Sequence, residues 1–332
     1  MRAVQLTAVN QLHVAEVPEP VPGPGEVVIA LRAAALNHRD VWIKSGQYAG
    51  LKWPCIPGSD GAGVIVACGE QVDAAWQGRE VIVNPSFGWG GHEEVQGPDF
   101  AILGLPRQGT LAERIAVPVG QVSVRPPHLT WEESAALPLA GLTAYRALFS
   151  RAKLQPGERL LVSGVGGGAA LFALQFAVAA GAEVWVTSSS EAKIAAAIEQ
   201  GAKGGFNYTD PEWAKTAARD AGLFDVVIDS AGGEGFEQLL DAAKPGGRVV
   251  FFGATRGNPP VLPMRKIFWR QLTVLGTTMG SPRDWEAMTD FVTRERVKPA
   301  VSAAFSLDRA AEAFALMERG GQFGKIVVRI AE

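Results

Sequence analysis

The run LLVSGVGGGAALFALQFAVAAGAEVWVTSSS, residues 160–190, restricts the fold more than any other stretch of the chain. A strand-forming run ends at Ser163, and an apolar helix-forming run begins by Ala169. Gly164-Val-Gly166-Gly167-Gly168-Ala169 joins them as G-x-G-x-x-A. In a dinucleotide-binding turn the first glycine makes the tight turn and the second lets the backbone approach a pyrophosphate. The third small residue lets the helix pack on the strand. The helix N-terminus then offers unpaired N–H groups to the anion. Alone the pattern is weak; between a strand and a helix, with the second strand EVWVTS (183–188) following, it is strong.

The end of that second strand predicts which dinucleotide binds. An NAD site places Asp or Glu there for the ribose 2′-hydroxyl. This chain has Thr187-Ser188-Ser189-Ser190 instead, with Lys193 one helical turn on. Hydroxyls and one cation suit a 2′-phosphate, so Ser188, Ser189, Ser190 and Lys193 are candidate contacts to NADP(H). Two opposing readings stand beside this one: Glu191 turned inward, and Lys193 as a solvated helix lysine.

From Gly157 the chain alternates strand and helix. RLLVS, EVWVTS, FNY (206–208), FDVVIDS (224–230), RVVFFG (248–253) and LTVLG (272–276) are six strand candidates. Ser190 is placed to cap one helix, and Asp210-Pro211 to open another with proline at its first position. This alternation predicts an α/β fold, a parallel sheet covered on both faces. In the usual strand order the cofactor crosses the sheet where the first and fourth strands diverge. That puts Tyr208, Ser230, Gly253 and Ala254 at carboxyl ends near the ligand. Asp229 belongs there too, or serves as a turn-capping acid.

The first part of the chain has a different texture: short strands such as VVIALRAAAL (27–36), GVIVAC (63–68), EVIVN (80–84) and AERIAV (112–117) between turn signals. Residues 84–109 form a long Gly-, Pro- and Asp-rich stretch of the kind that is functional or mobile. Pro126-Pro127 is a stiff link. Thr130-Trp-Glu-Glu133 is a capping box, and the helix after it contains Pro138 and Gly141 as expected interruptions. A helix over 284–295 and a strand over 324–330 close the chain.

With 31 basic and 34 acidic residues the net charge is -3, which argues against a nucleic-acid surface. No run of 18 apolar residues suggests a membrane span, and the opening MRAVQLTAVNQLHV lacks the apolar core of a signal peptide. A cytoplasmic location is expected. Cys55 and Cys68 are then expected to be thiols.

Taken with the glycine turn, the stretches GPGEVVIALRAAALNHRDVWIKSG (23–46), PGSDGAGVIVACG (57–69), AALPLAGLTAYRAL (135–148), DSAGG (229–233) and GKIVV (324–328) resemble the medium-chain dehydrogenase/reductase superfamily over essentially the whole chain. The similarity is greatest to its quinone oxidoreductase-like and YogA-like branch, often labelled zinc-type alcohol dehydrogenase-like. It implies a GroES-like, mostly-β catalytic domain, 1–127 and 278–332, completed by the C-terminal segment. A Rossmann NADP-binding domain would occupy 128–277. It also implies a homodimer whose sixth strands pair across a two-fold axis.

Zinc-dependent members of the superfamily hold a catalytic metal with Cys, His and a third Cys, supported by Glu. At those positions stand Asn37, Ser59 and Leu139, with Asp60 at the glutamate's place. Amide, hydroxyl and isobutyl groups do not replace thiolate and imidazole around zinc. Where those members carry four structural cysteines, residues 84–109 contain none. Both metals are expected to be absent. A rearranged site from His38, Asp60, His92 and Glu93-Glu94 is the rival reading.

Without a Lewis acid, alcohol oxidation loses its means of stabilising an alkoxide, whereas an acceptor that spreads charge needs less help. The expected activity is hydride transfer from NADPH to a quinone or α,β-unsaturated carbonyl. Asn37, Asp40, Tyr48 and Thr143 are the candidate catalytic residues. Asp40 reads equally as a helix cap and Tyr48 as packing. The resemblance brings Phe323 and Lys325 toward the cofactor; Trp42, Phe87, Trp89 and Phe268-Trp269 are candidate pocket walls. Two other functions compete: an NAD(P)-dependent alcohol or aldehyde dehydrogenase with a rearranged metal site, and a non-catalytic dinucleotide-binding protein.

Overall fold

In the computed structural model, which describes residues 1–331, the glycine turn leads out of the strand Arg159–Val162 into the helix Gly168–Ala179. That strand lies at the centre of a six-stranded sheet. Its order is Gly204–Asn207, Glu183–Ser188, Arg159–Val162, Phe224–Asp229, Ala243–Phe251, Thr273–Gly276. In chain order this is three-two-one-four-five-six, and every adjacent pair is parallel. Strands buried on both faces need apolar residues at successive positions, which is why Leu160-Leu161-Val162 and Val226-Val227-Ile228 are fully or almost fully buried. The second and third strands are added on one side of the central strand and the fourth, fifth and sixth on the other, so a crevice opens above its carboxyl end.

Two local expectations change. Pro211 does not open a helix: Asp210 Oδ1 accepts from Glu212 N at 2.9 Å, forming a turn, and the helix begins at Trp213. Gly141 does not interrupt one, since the helix Pro138–Tyr145 runs through it and only Pro138 marks a break after Ala136.

The chain divides at Ala140/Gly141 and Met279/Gly280, giving one unit from Met1–Ala140 with the C-terminal segment and another from Gly141–Met279. Residues 128–140 therefore belong with the first unit rather than the second. The helix Trp131–Ala136, with its capping box at Thr130 and Glu133, packs on the strands Glu26–Ala35 and Asp60–Cys68. Arg329 Nε lies 2.9 Å from Glu132 Oε1 in the same unit.

The first unit is built on a seven-stranded sheet whose central strand is Glu26–Ala35. Lys325–Arg329 pairs antiparallel with it, Val327 opposite Ala35, and the strand Val301–Ser306 adds outside. The C-terminal segment is thus covalently remote and structurally integral. Its interior gathers Val27, Ile29, Leu31, Ile65, Val81 and Phe314. Among the described residues no helix is long and apolar enough to cross a membrane.

The two cysteines differ in a testable way. Cys55 is buried, and that burial, reinforced by Asp40, pushes its thiol up to about 11. At pH 8 only about one Cys55 in a thousand is thiolate. Cys68 is half-buried at the end of its strand. Iodoacetamide at pH 8, read by mass spectrometry, is expected to label Cys68 in the native protein and Cys55 only after denaturation.

Candidate active site

In the second unit the phosphate turn is pinned to the strand beside it. Gly164 N donates to Thr187 Oγ1 at 3.0 Å, and Val165 N donates to Thr187 O at 2.8 Å. Gly166 has φ +137°, where a side chain is strained, and a Cβ there would sit 3.0 Å from Lys193 Cδ and 3.3 Å from its Nζ. Lys193 therefore lies over the turn. No side chain caps the helix that Gly167 introduces, so Gly168 and Ala169 begin a first turn whose N–H groups are open to an anion.

The serines at the end of the second strand do different things. Ser188 is buried, and its Oγ accepts from Ser190 N at 3.2 Å. Ser190 Oγ accepts from Lys193 N at 3.4 Å as the helix cap, and Ser189 is exposed. Glu191 does not turn toward the glycines; its Oε1 accepts from Asn207 Nδ2 at 2.8 Å. Tyr208 N donates to Ser188 O at 3.1 Å. A groove of about 1050 Å³ runs along this edge, lined among others by Gly164, Thr187, Tyr208, Asp229 and Arg256. Asp229 is the turn-capping acid: it accepts from Ser163 Oγ at 2.5 Å and Gly232 N at 2.8 Å. Gly253 must be small, because a Cβ would meet Ser230 O at 2.6 Å; Ala254 beyond it is exposed. Thr143 is buried, its Oγ1 4.0 Å from Met279 Sδ.

In the first unit Asn37, Asp60 and Lys325 converge. Asp60 Oδ2 accepts from Asn37 Nδ2 at 2.9 Å and from Lys325 Nζ at 2.8 Å, while Asp60 Oδ1 accepts from Leu139 N at 2.8 Å. Lys325 Nζ also donates to Asn37 Oδ1 at 2.6 Å. All three side chains are buried. Ser59 is fully buried beside Asp60. Ser59 Oγ donates to Leu103 O at 2.7 Å and accepts from Arg39 Nη1 at 2.8 Å.

Asp40 makes the helix-cap contact. It accepts from Asn37 N at 2.8 Å and Gly58 N at 3.1 Å, tying the helix His38–Lys44 to the turn before Asp60. Burial raises its pKa above the ordinary carboxylate value, against the pull of Arg39 and both amides. Tyr48 packs on Leu6, Ile43, Cys55 and Leu105, with the Arg39 guanidinium 4.9 Å from its ring centroid. Phe323 N donates to Ser302 Oγ at 3.2 Å, two residues before Lys325.

The donors present do not fit a zinc ion. An amide, a hydroxyl already bonded twice, and a backbone N–H stand where two thiolates and an imidazole are needed. A lysine ammonium occupies the carboxylate that would support the metal. His92 is exposed, its Nδ1 accepting from Glu94 N at 3.3 Å. Among the described residues no three His, Cys, Asp or Glu side chains are grouped to hold a metal. The positions of Arg39, bonded to Ser59, and of Arg256, on the groove, were not legible in the sequence, since nothing local marks either.

A model described as "Alcohol dehydrogenase GroES-like domain" matches residues 23–127, and one described as "Zinc-binding dehydrogenase" matches 168–294. The chain is 37% identical to a zinc-type alcohol dehydrogenase-like protein YogA of Leptosphaeria maculans, over 96% of this chain and 94% of that one. Among solved structures, an NAD-dependent alcohol dehydrogenase superposes with a TM-score of 0.95 at 38% identity, covering 100% of both chains. A 2-octenoyl-CoA carboxylase reductase in complex with NADP and 2-octenoyl-CoA superposes at 0.89 and 27% identity, covering 99% of this chain and 87% of that one. Matched on both units and over nearly its full length, the chain belongs to the medium-chain dehydrogenase/reductase superfamily and is an oxidoreductase whose second unit has the fold that binds a nicotinamide dinucleotide.

Proposed function

We propose that this oxidoreductase works without a catalytic metal, uses NADPH, and reduces a quinone or an α,β-unsaturated carbonyl. The observation that carries this reading is the buried Asn37–Asp60–Lys325 group, in which the protein's own ammonium neutralises the carboxylate that a metal site would need. With no Lewis acid to hold an alkoxide, the favourable acceptor is one that delocalises the incoming charge.

When bound, NADPH supplies the hydride. The electron pair ends on the acceptor oxygen, giving an enolate or hydroquinone anion that takes a proton from water. The chain's own residues hold and orient. Gly164, Gly166 and the open helix N-terminus receive the pyrophosphate. Ser188, Ser189 and Lys193 receive the 2′-phosphate, with Glu191 held away on Asn207. Asn37 has a second Nδ2 N–H beyond the one given to Asp60, a donor suited to an acceptor oxygen. Support for the acceptor class comes from the related reductase solved with 2-octenoyl-CoA, an enoyl thioester.

The test is to measure metal content and then follow NADPH or NADH absorbance with quinones, enones and simple aldehydes. NADPH consumption with quinones or enones, at well below one zinc per chain, is expected. Zinc at one per chain with alcohol turnover would overturn the reading, as would bound cofactor with no turnover across the panel.

A homodimer is part of the proposal. Thr273–Gly276 is an edge strand, and Phe268 and Trp269 just before it are 65% and 79% exposed. Large exposed aromatics beside an open strand edge mark an interface. Light scattering is expected to give twice the 35.1 kDa chain mass, and Trp269→Glu to shift the protein toward monomer.

A further inference from the structure

One wall of the groove at the carboxyl edge of the parallel sheet is Arg256, which the glycine turn does not account for. It follows the fifth strand, Ala243–Phe251, and its N–H donates to Ala231 O at 2.9 Å, setting its loop against the end of the fourth. Gly233, with φ +69°, lets this approach happen: a Cβ there would lie 3.0 Å from Arg256 Cβ. The guanidinium carbon is 5.4 Å from the centroid of the Tyr208 ring. Tyr208 rises from the end of the third strand, and its backbone is bonded to Ser188.

The electrostatics leave this cation unspent. Arg256 is exposed, and among the described residues its side chain has no ion pair or hydrogen bond. Glu237 and Asp241 on the same groove are held by Lys266 Nζ at 2.8 and 2.7 Å, and Glu234, exposed on the groove, does not pair with Arg256. The ring covers one face of the guanidinium and fixes its place at modest entropic cost, leaving its N–H fork for a ligand. A ribose 2′-phosphate carries nearly two negative charges at neutral pH, and Lys193 brings only one positive charge.

We propose that Arg256 is a specificity-determining residue: its guanidinium, held over Tyr208, binds the 2′-phosphate of NADP(H) in addition to Lys193. This rests on the NADPH reading above. A guanidinium gives a phosphate two parallel charge-assisted hydrogen bonds, which a 2′-hydroxyl cannot match. Arg256 therefore discriminates between the two dinucleotides rather than strengthening both.

The experiment measures dissociation constants by calorimetry for NADPH, NADH, 2′,5′-ADP and 5′-AMP, on wild type, Arg256→Gln and Arg256→Lys. Arg256→Gln is expected to weaken NADPH and 2′,5′-ADP by about ten- to thirty-fold. NADH and 5′-AMP should stay within about two-fold, and Arg256→Lys should fall between wild type and Arg256→Gln for the phosphorylated ligands. Equal weakening of all four, or of none, overturns the role of Arg256 while a wild-type preference for NADPH leaves the cofactor reading standing. Tighter NADH than NADPH binding by the wild type overturns both.

Discussion

Lys325→Met is expected to destabilise the protein by about 3–5 kcal/mol, the usual cost of removing one partner from a buried ion pair. The variant leaves Asp60, fully buried, with Asn37 Nδ2 and Leu139 N as its remaining donors. Two neutral donors do not compensate a desolvated charge. The carboxylate then lacks the cation beside it, which costs stability. Asp60→Asn/Lys325→Met removes both charges and keeps an amide at position 60, so most of the loss should be recovered. Urea unfolding followed by tryptophan fluorescence compares the three proteins. If Lys325→Met matches wild type, the ion pair contributes nothing to stability. If the double variant is as weak as the single, the loss comes from the hydrogen bond that Lys325 Nζ gives Asn37 Oδ1 rather than from the ion pair.

The same group shows what a sequence can and cannot display. Asn37, Ser59, Asp60 and Leu139 are each legible against the superfamily's metal positions, because those motifs are local. Lys325 is 265 residues from Asp60, and no spacing or periodicity relates the two. Resemblance brought Lys325 toward a cofactor; the structure shows its ammonium engaged by Asp60 and Asn37. Only the antiparallel pairing of Lys325–Arg329 with Glu26–Ala35 makes them neighbours. By contrast the parallel sheet was legible almost strand by strand, since its central strands are continuous apolar runs and strand alternates with helix along the chain. The misplacements were at boundaries. Pro211 obeyed a turn made by Asp210 rather than the helix after it. The capped helix Trp131–Ala136 followed the first unit, because the strands it covers belong there. Arg256 was not legible for the reason that the partners of Lys325 were not: its surroundings, Tyr208 and Gly233, are brought to it by other parts of the chain.

Ser188→Asp should weaken NADPH binding by about a hundred-fold, and it puts the cofactor reading at most risk. Ser188 ends the second strand, where an NAD site carries its acid. Its Oγ accepts from Ser190 N, a bond that an aspartate oxygen can also accept, so the helix cap and local backbone should survive. What changes is the charge beside the ribose. Two like charges about 4 Å apart at an effective dielectric of about 20 repel by about 4 kcal/mol; solvent access reduces this to about 2–3 kcal/mol, hence the hundred-fold. NADH lacks the phosphate, and its 2′-hydroxyl can donate to the new carboxylate, so its affinity should rise. The preference should therefore invert, which a simple loss of structure would not produce. Fluorescence titrations of both dinucleotides read it directly. Equal loss for both would show only that the strand end had been damaged. A change in NADPH affinity below about three-fold would place the adenosine ribose away from Ser188. Lys193 and the open helix N-terminus would then be left to the pyrophosphate alone.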